Sequence, residues 1–249
     1  NLVRLAREQG WPLDAVANAA GVANTLVLPN RHAHALHHPR GAGVPPASTH
    51  STSSPSPHVL NTDAPAALAG LSGALGTLTN KHITLLGAGG VARALAFALA
   101  HAGARVAIAN RTLNRAEQLA ADLAPHLKNP PNAGTITAID WDAATRTPAD
   151  ALINGTPLGM TDGPAPNDSP IDPTLLAPLA AANSSLVVMD TVYNPIETPL
   201  LRQAKQLNLR TIDGVGMFVR QAAMQFEAWT GQSAPSNLFD RIVRESLPA

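Results

Sequence analysis

From residue 83 onward, short apolar segments alternate with longer stretches of helical periodicity. The apolar segments predict strands, because they are short, rich in Val, Ile, Leu and Ala, and bounded by Gly, Asn or Asp. They lie at residues 83–86, 105–110, 135–139, 151–154, 186–191 and 210–212. Helical spacing is clearest at residues 91–101, 113–123 and 199–207. This alternation predicts an α/β fold with a doubly wound parallel sheet, in which ligands bind at the carboxyl ends of the strands.

The two ends of the chain follow a different pattern. Apolar residues at helical spacing predict two short helices before Gly21, and a strand is predicted at residues 23–28. Ordered structure is expected again at residues 59–63, followed by a helical pattern. Two amphipathic helices, at residues 216–229 and 237–247, end the chain with no strand after them. These helices must pack outside the sheet, and the N-terminal segment is their expected partner. The ends of the chain therefore predict a second, smaller lobe.

Residues 29–57 differ in kind from the rest of the chain. They are rich in His, Pro, Ser and Gly, and the spacing of His34, His37 and His38 suggests a metal site. However, no carboxylate or aromatic residue lies among these histidines, and the composition offers too little apolar surface to order the segment. We therefore predict a disordered surface insertion and no metal site.

A glycine turn follows the strand at residues 83–86 and is the centre of the predicted site. The sequence reads Gly-Ala-Gly-Gly-Val-Ala, and a helical pattern begins at once. In a dinucleotide-binding Rossmann unit, the first glycine permits a tight turn, the second lets the backbone approach the pyrophosphate, and the small sixth residue lets the helix pack closely. The phosphates lie at the positive end of the helix dipole. The predicted cofactor-binding residues of this turn are Gly87, Ala88, Gly89, Gly90 and Val91.

The residues after the next strand indicate which dinucleotide would bind. A site specific for NAD carries Asp or Glu about 20 residues beyond the glycine turn, where the acid holds the ribose 2′-hydroxyl. Here the sequence reads Asn110, Arg111 and Thr112, with Arg115 one helical turn further on. Guanidinium groups bind phosphate oxygens in pairs, so these residues favour the 2′-phosphate of NADP. The alternative is that both arginines lie on a solvated helix start, although acidic residues are usual there.

Charge and composition exclude several classes of partner. The 17 basic and 17 acidic residues give a formal net charge of zero, and no basic run suggests binding to nucleic acid or to an anionic membrane. The absence of cysteine excludes disulfides, thiolate metal sites and cysteine nucleophiles. No apolar stretch approaches the roughly 20 residues that span a bilayer. The expectation is a cytoplasmic protein that binds a small molecule.

Seven short segments carry a resemblance that covers nearly the whole chain. They are Gly-Val-Ala-Asn-Thr-Leu at 21–26, Asn-Thr-Asp at 61–63, the glycine turn at 87–92, Asn-Arg-Thr at 110–112, Asn-Gly-Thr-Pro-Leu-Gly-Met at 154–160, Asp-Thr-Val-Tyr-Asn-Pro-Ile-Glu-Thr-Pro-Leu-Leu at 190–201, and Asp-Gly-Val-Gly-Met-Phe-Val-Arg-Gln-Ala at 213–222. Together they resemble the shikimate dehydrogenase family. The last two segments are the most specific, and the whole pattern is most similar to the dehydrogenase half of fused dehydroquinase and shikimate dehydrogenase enzymes.

The resemblance implies reversible reduction of 3-dehydroshikimate to shikimate by NADPH, in aromatic amino-acid biosynthesis. It implies that Asn24 and Asp63 hydrogen-bond the ring hydroxyls of the substrate, with Asp63 also paired to a catalytic lysine. Two further pairs of residues match positions of the family. Gln221 and Tyr193 would contact the substrate from the other side, and Thr191 and Gly214 would lie near the nicotinamide.

The same resemblance implies a division into domains. Residues 1–63 correspond to part of a substrate-binding domain, residues 64–212 to an NADP-binding domain, and residues 213–249 to helices that complete the substrate lobe. A single residue can also have a structural role in place of the functional one that the resemblance implies. Asp63, which precedes Ala64 and Pro65, is also a plausible helix N-cap.

Two features of the family do not occur in the residues that precede the Gly-x-x-Asn-Thr segment here. The family carries its catalytic lysine in a Pro-x-Lys turn ahead of the Gly-x-x-Asn-Thr segment, and a Ser-x-Ser carboxylate clamp further upstream. Residues 1–9 resemble the helix that follows that lysine, and the lysines present, Lys81, Lys128 and Lys205, lie elsewhere. We therefore expect an N-terminally truncated chain that binds NADP but has little or no dehydrogenase activity alone. A dehydroquinase domain fused upstream is a further expectation.

Two other functions stay open at this point. One is a quinate or quinate/shikimate dehydrogenase, against which Arg111 and Arg115 argue because they favour NADP. The other is a non-catalytic relative that senses the ligand, against which the presence of Asp63 and Gln221 argues. The sequence that precedes Asn1 would discriminate best, since a Pro-x-Lys there supports the enzyme.

Overall fold

A computed structural model of the chain describes residues 1–29, 56–128 and 133–247. Its strands are β1 (Thr25–Val27), β2 (His58–Leu60), β3 (His82–Leu86), β4 (Arg105–Ala109), β5 (Thr135–Ile139), β6 (Ala151–Asn154), β7 (Val187–Asp190) and β8 (Arg210–Ile212). Strands β3 to β8 form one parallel sheet in the order β5-β4-β3-β6-β7-β8. The predicted α/β fold with a doubly wound parallel sheet is confirmed. Nearly all of the insertion predicted at residues 29–57 lies outside the described residues.

The strand order creates a crevice next to β3. The chain runs from β3 outward through β4 to β5, and then returns to β6 on the other side of β3. The loops that leave β3 and β6 therefore start side by side and diverge. In doubly wound sheets, ligands bind in the crevice that such a reversal opens at the carboxyl ends of the strands.

Helices cover both faces of this sheet. They are α1 (Leu2–Gln9), α2 (Ala15–Ala20), α3 (Asp63–Leu75), α4 (Gly90–His101), α5 (Leu113–Leu123), α6 (Trp141–Ala144), α7 (Pro173–Ala182), α8 (Pro199–Gln206), α9 (Gly214–Thr230) and α10 (Ser236–Ser246), with a short 3-10 helix at Ala124–Leu127. Helices α4 and α5 pack on one face, and α7 and α8 on the other. No helix of the described ranges is both long and apolar enough to cross a bilayer.

Alternation along the strands explains why the sheet is buried on both sides. Successive side chains of a strand point to opposite faces. Thus Ile153 packs in the cluster beneath α4, whereas its neighbour Leu152 packs in the cluster beneath α7 and α8. Both side chains are almost completely buried, and burying one such side chain stabilises the fold by about 1.5–3 kcal/mol. This two-sided burial produces the continuous apolar runs in the sequence.

The N-terminal residues and the last helices lie together outside the sheet. Strands β1 and β2 pair antiparallel, and Ala64 of α3 packs against Ala94 and Ala98 of α4. Helix α9 reaches β1 through polar contacts: Gln225 Nε2 donates to Thr25 Oγ1 at 3.0 Å, and Trp229 Nε1 donates to the Leu26 carbonyl oxygen at 3.1 Å. The N-terminal segment and α9 thus form one wall beside the crevice.

Three predicted strands are longer than the strands in the structure, and the one predicted at 23–28 spans only Thr25–Val27. The strand predicted at 105–110 ends at Ala109, because the Asn110 side-chain amide donates to the Thr112 carbonyl oxygen at 2.9 Å and forms a turn. The strand predicted at 186–191 spans only Val187–Asp190.

The start of α9 generates a prediction about packing. A Cβ at Gly214 would lie 2.2 Å from the Val192 carbonyl oxygen, whereas a Cβ at Gly73, exposed inside α3, would meet no atom within 4 Å. We expect Gly214→Ala to lower the free energy of unfolding by roughly 1–3 kcal/mol through overpacking. The control Gly73→Ala should raise it by about 0.5–1 kcal/mol, because alanine is the better helix former. Denaturant unfolding measures both, and equal effects would contradict the packing at Gly214.

Candidate active site

The turn between β3 and α4 is fixed by close backbone contact. Gly87 has a φ of 107°, which side-chain-bearing residues rarely adopt, and a Cβ there would lie 2.9 Å from the Gly155 carbonyl oxygen. The Gly87 amide donates to the Ala109 carbonyl oxygen at 2.7 Å. Gly89 precedes α4 as its N-cap and provides no side chain to satisfy the first amides of the helix. The start of α4 is therefore suited to an anion.

Three cavities run in series along the carboxyl edge of the sheet. The adenosine-side cavity, about 570 Å³, is lined by Arg111 and Arg115 and also by Thr156 and Pro157. The central cavity, about 390 Å³, shares Thr156 and Pro157 with it and continues to Gly90 and Val91. The Asp63 cavity, about 410 Å³, shares Gly90 and Val91 with the central one. Because neighbouring cavities share wall residues, they form one groove that passes over the start of α4.

The adenosine-side cavity contains the predicted Asn110, Arg111, Thr112 and Arg115. Both arginine side chains are exposed, and neither forms an ion pair within the described ranges. The same cavity is also lined by one acid, Asp168. Two free guanidinium groups at the end of β4 make this end of the groove cationic.

At the other end of the groove, Asp63 does not cap its helix. The N-cap position belongs to Thr62, and the side chain of Asn61 instead accepts the Ala64 amide at 3.1 Å. The structural alternative considered for Asp63 is therefore wrong, because Asn61 already provides the cap. The Asp63 carboxyl lines its cavity, and burial raises its pKa, an effect that the Asn24 side chain partly offsets.

Asn24 and Gln221 meet beside Asp63. Asn24 Oδ1 accepts the Thr62 amide at 3.0 Å, which fixes the side chain, and Asn24 Nδ2 donates to Gln221 Oε1 at 3.3 Å. One turn further along α9, Gln225 donates to Thr25 Oγ1 and holds the same region. Residues far apart in sequence, from the N-terminal segment, α3 and α9, thus bring their polar groups to one point.

Tyr193 and Thr191 lie on the wall of the central cavity. The Tyr193 ring is 41% exposed and stacks on Phe218 of α9, with ring centroids 4.4 Å apart. Gly214 lies behind this wall, in contact with the backbone of Val192 and Tyr193, rather than on the cavity surface. Thr191 and Tyr193 therefore line the groove, with Gly214 as a support behind it, whereas Asn24 and Gln221 lie beside Asp63 without being among the residues that line the three cavities.

A buried polar pair below the central cavity holds both of its loops. Asn154 and Asp190 end adjacent strands, are 0% exposed, and are joined by a hydrogen bond of 2.9 Å from Asn154 Nδ2 to Asp190 Oδ1. Asn154 Oδ1 accepts from the amide and hydroxyl of Thr156, and Asp190 accepts from the Val192 amide and the Thr198 hydroxyl. Burial raises the pKa of Asp190 to about 6, and these donors only partly oppose the rise.

The role of this pair and of Thr156 was missed in the sequence, although a signal was present. Asn154 and Asp190 are polar residues at the ends of otherwise apolar strands. A buried polar group needs hydrogen-bond partners, so such residues indicate a network at the carboxyl edge of the sheet.

The lysines lie away from the groove. Lys81 Nζ pairs with Asp150 at 3.2 Å, ahead of β3 and therefore at the opposite edge of the sheet, and Lys205 pairs with Glu197 at 2.6 Å. Lys128 follows the 3-10 helix and is exposed. Within the described ranges, no group of three or more acidic or histidine side chains could hold a metal ion.

Comparisons with known proteins place the chain in a family. The family profile described as "Shikimate / quinate 5-dehydrogenase" matches residues 71–133, and the profile "Shikimate 5'-dehydrogenase C-terminal domain" matches residues 214–244. A crystal structure of a shikimate dehydrogenase in complex with NADP+ superimposes with a TM-score of 0.71 at 30% identity, covering 96% of this chain and 71% of the other. The chain belongs to the shikimate dehydrogenase family. The resemblance stated from the sequence is thus confirmed.

Two further proteins are similar to the chain. The NADP(+) shikimate dehydrogenase of Methanocella arvoryzae is 39% identical over 192 residues, which are 76% of this chain and 65% of that relative. The chain therefore spans somewhat less than two thirds of that curated relative. A quinate dehydrogenase from Corynebacterium glutamicum in complex with NAD superimposes with a TM-score of 0.70 at 25% identity, covering 95% of this chain and 72% of the other.

The buried Asp190 carboxyl generates a prediction about pH. Its pKa in the folded chain, about 6, lies above the ordinary value of 3.8, so the folded state binds the proton more tightly than the unfolded state. The contribution of Asp190 to stability should therefore fall as pH rises from about 4 to above 6, by on the order of 3 kcal/mol. The free energy of unfolding of wild type minus that of Asp190→Asn should decrease over this range.

Asp172 provides a control of opposite sign. It caps α7, and its hydrogen bonds with Thr174 lower its pKa. Its stabilising contribution is lost on acidification, so wild type minus Asp172→Asn should instead increase as pH rises through the ordinary carboxyl range. Urea unfolding of the three proteins across this pH series measures both slopes. A flat difference for Asp190→Asn would contradict the burial of an ionisable carboxyl.

Proposed function

We propose that this chain provides the cofactor and substrate cleft of an NADP-dependent dehydrogenase that interconverts 3-dehydroshikimate and shikimate. The observation that carries the proposal is the groove itself. It joins two unpaired arginines at the end of β4 to a half-buried carboxyl at Asp63, by way of the glycine turn. The names of the relatives support the same reaction.

The residues of the groove fit NADP in three respects. The uncapped start of α4 offers free amides to a pyrophosphate, and Gly89 leaves open space where a side chain would stand. Arg111 and Arg115 offer guanidinium groups to a 2′-phosphate where an NAD site would carry an acid. The central cavity, with Thr191 on its wall, provides space for the nicotinamide. When bound, the cofactor supplies or accepts the hydride.

The Asp63 end fits a polyhydroxylated ring. Asp63 accepts hydrogen bonds when ionised, whereas the amides of Asn24 and Gln221 both donate and accept. Their convergence gives fixed partners to adjacent ring hydroxyls, and Tyr193 approaches from the central cavity. A substrate held there would lie beside the nicotinamide end of the groove, as hydride transfer requires.

The described residues of the groove do not include the lysine that would donate a proton in the family. Reduction of a carbonyl needs a proton donor near its oxygen, and lysine fills that role in the family resemblance. Lys81, Lys128 and Lys205 lie away from the groove. We therefore expect these 249 residues alone to bind both ligands and to transfer hydride slowly.

The structural similarity to an NAD-bound quinate dehydrogenase favours quinate and NAD as the second candidate. Asp168 on the wall of the adenosine-side cavity is an acid that could serve a ribose hydroxyl. Rates with quinate and shikimate on the full-length protein would separate the two.

An upstream dehydroquinase domain and a cytoplasmic location stay predictions, to be checked from the complete gene and by imaging the tagged protein.

The preference for NADP+ over NAD+ tests whether Arg111 and Arg115 bind the 2′-phosphate. Each guanidinium that binds a phosphate contributes about 1.5–3 kcal/mol, so Arg111→Ala and Arg115→Ala should each weaken NADP+ binding roughly tenfold or more while leaving NAD+ binding nearly unchanged. Arg241→Ala, on α10, is a matched control that should bind both dinucleotides as wild type does. Isothermal titration measures each affinity. Equal losses for NAD+ and NADP+ would contradict a 2′-phosphate site.

The substrate end is tested separately by Asp63→Asn. Loss of a charged hydrogen-bond acceptor should weaken shikimate binding about 10- to 100-fold, while NADP+ binding changes little because Asp63 lies at the other end of the groove. Asp172→Asn is the matched control: Asp172 caps α7 through the Thr174 amide and lines none of the three cavities, so it should cost stability rather than selective shikimate affinity. Unchanged shikimate affinity in Asp63→Asn would remove Asp63 from the site.

A further inference from the structure

Asp190 places an uncompensated negative charge inside the protein. Its carboxyl is 0% exposed and accepts hydrogen bonds from Asn154 Nδ2 at 2.9 Å, from the Val192 amide at 3.0 Å and from the Thr198 hydroxyl at 2.7 Å. All three donors are neutral. Across the described ranges, no Lys, Arg or His forms an ion pair with this carboxyl. Ionisation of Asp190 therefore leaves a net charge below the sheet edge.

The charge lies directly behind the wall of the central cavity. Thr191 and Val192, which line the cavity, follow Asp190 in the chain, and the Val192 amide is bonded to its carboxyl. On the neighbouring strand, Asn154 connects the same carboxyl to Thr156, another residue of the cavity wall. The carboxyl is therefore one hydrogen bond from the wall at Val192 and two hydrogen bonds from it at Thr156. Because the carboxyl is 0% exposed, bulk water does not contact it, and its field reaches into the cavity.

A charge in this position distinguishes the two redox states of a nicotinamide. The oxidised ring carries a positive charge, and addition of a hydride makes the ring neutral, while the rest of the dinucleotide is unchanged. We propose that the Asp190 carboxylate strengthens binding of the oxidised dinucleotide relative to the reduced one, and so sets the redox preference of the central cavity. This inference rests on the proposed function, because it requires a nicotinamide in that cavity.

A structural role alone would have a different consequence. The loops after β6 and β7 need acceptors for their donors, and Asp190 provides these whether or not a ligand is charged. Loss of that support would disturb binding of the oxidised and reduced dinucleotides equally. The ratio of the two dissociation constants therefore measures the effect of the Asp190 charge. A change that is common to both constants measures the loss of structural support.

The test measures this ratio in charge-removing and charge-retaining variants. Dissociation constants for NADP+ and NADPH are determined by fluorescence titration at about pH 8, where the Asp190 carboxyl is ionised. In Asp190→Asn, the ratio of the NADP+ constant to the NADPH constant should rise about fivefold, since one charge at this range in a partly polar interior has an effect of that order. Asp190→Ser, a second neutral replacement, should shift the ratio in the same direction.

Two controls separate charge from packing. Thr198→Val removes one hydrogen bond to the carboxyl but keeps its charge, so both constants should move together and the ratio should stay as in wild type. The fragment 2′-phospho-ADP-ribose lacks the nicotinamide, so any change that Asp190→Asn makes in its affinity reports packing and not the charge of the ring. Thermal unfolding of each variant identifies any that has lost its fold, and the remaining neutral variant then carries the comparison.

The outcomes distinguish this inference from the proposed function. If wild type binds the dinucleotides but the neutral variants keep its ratio, the inference is overturned and Asp190 is a structural residue, while the proposed function stands. If wild type binds neither dinucleotide nor the nicotinamide-free fragment, the proposed function fails and the inference fails with it. If the ratio rises in the neutral variants and stays at the wild-type value in Thr198→Val, the result supports the inference that the Asp190 charge favours the oxidised dinucleotide.

Discussion

The contact between the turn after β3 and the loop after β6 is the constraint on which the rest of the cleft depends. Gly87 approaches the Gly155 carbonyl oxygen so closely that no side chain could stand there, and Gly155 in turn donates its amide to the Leu86 carbonyl oxygen at 2.8 Å. These two loops leave neighbouring parallel strands at the point where the strand order reverses. Their contact sets the position of the start of α4, over which the whole groove passes.

Along this groove the polar groups change in character. The adenosine-side end presents exposed guanidinium groups, the centre is lined by backbone and small side chains, and the far end holds a half-buried carboxyl beside amides. Each end is built by a different part of the chain: β4 and α5 at one end, and the N-terminal segment with α3 and α9 at the other. An elongated ligand with an anionic and a hydroxylated end matches this order of charges.

The sheet was predictable from sequence because its strands are buried on both faces and therefore appear as separate apolar runs. The cofactor end was equally accessible, since the glycine turn, Arg111 and Arg115 lie close together along the chain. The Asp63 end was not accessible from spacing, because Asn24 and Gln221 are brought together only by the fold, and the family resemblance had to supply them. The cap formed by Asn61 and the network around Asp190 depend on side-chain directions that no sequence pattern specifies.

Among the described residues, the hydrogen bond from Asn24 to Gln221 leaves most donors of the two amides open. Asn24 Nδ2 keeps its second hydrogen and Gln221 keeps its Nε2 group, whereas Asn24 Oδ1 already accepts the Thr62 amide. The two amides therefore present N–H donors beside the Asp63 carboxylate, which only accepts. A hydroxyl placed between them can accept from an amide and donate to the carboxylate, so this end of the groove favours hydroxyls over groups that can only donate or only accept.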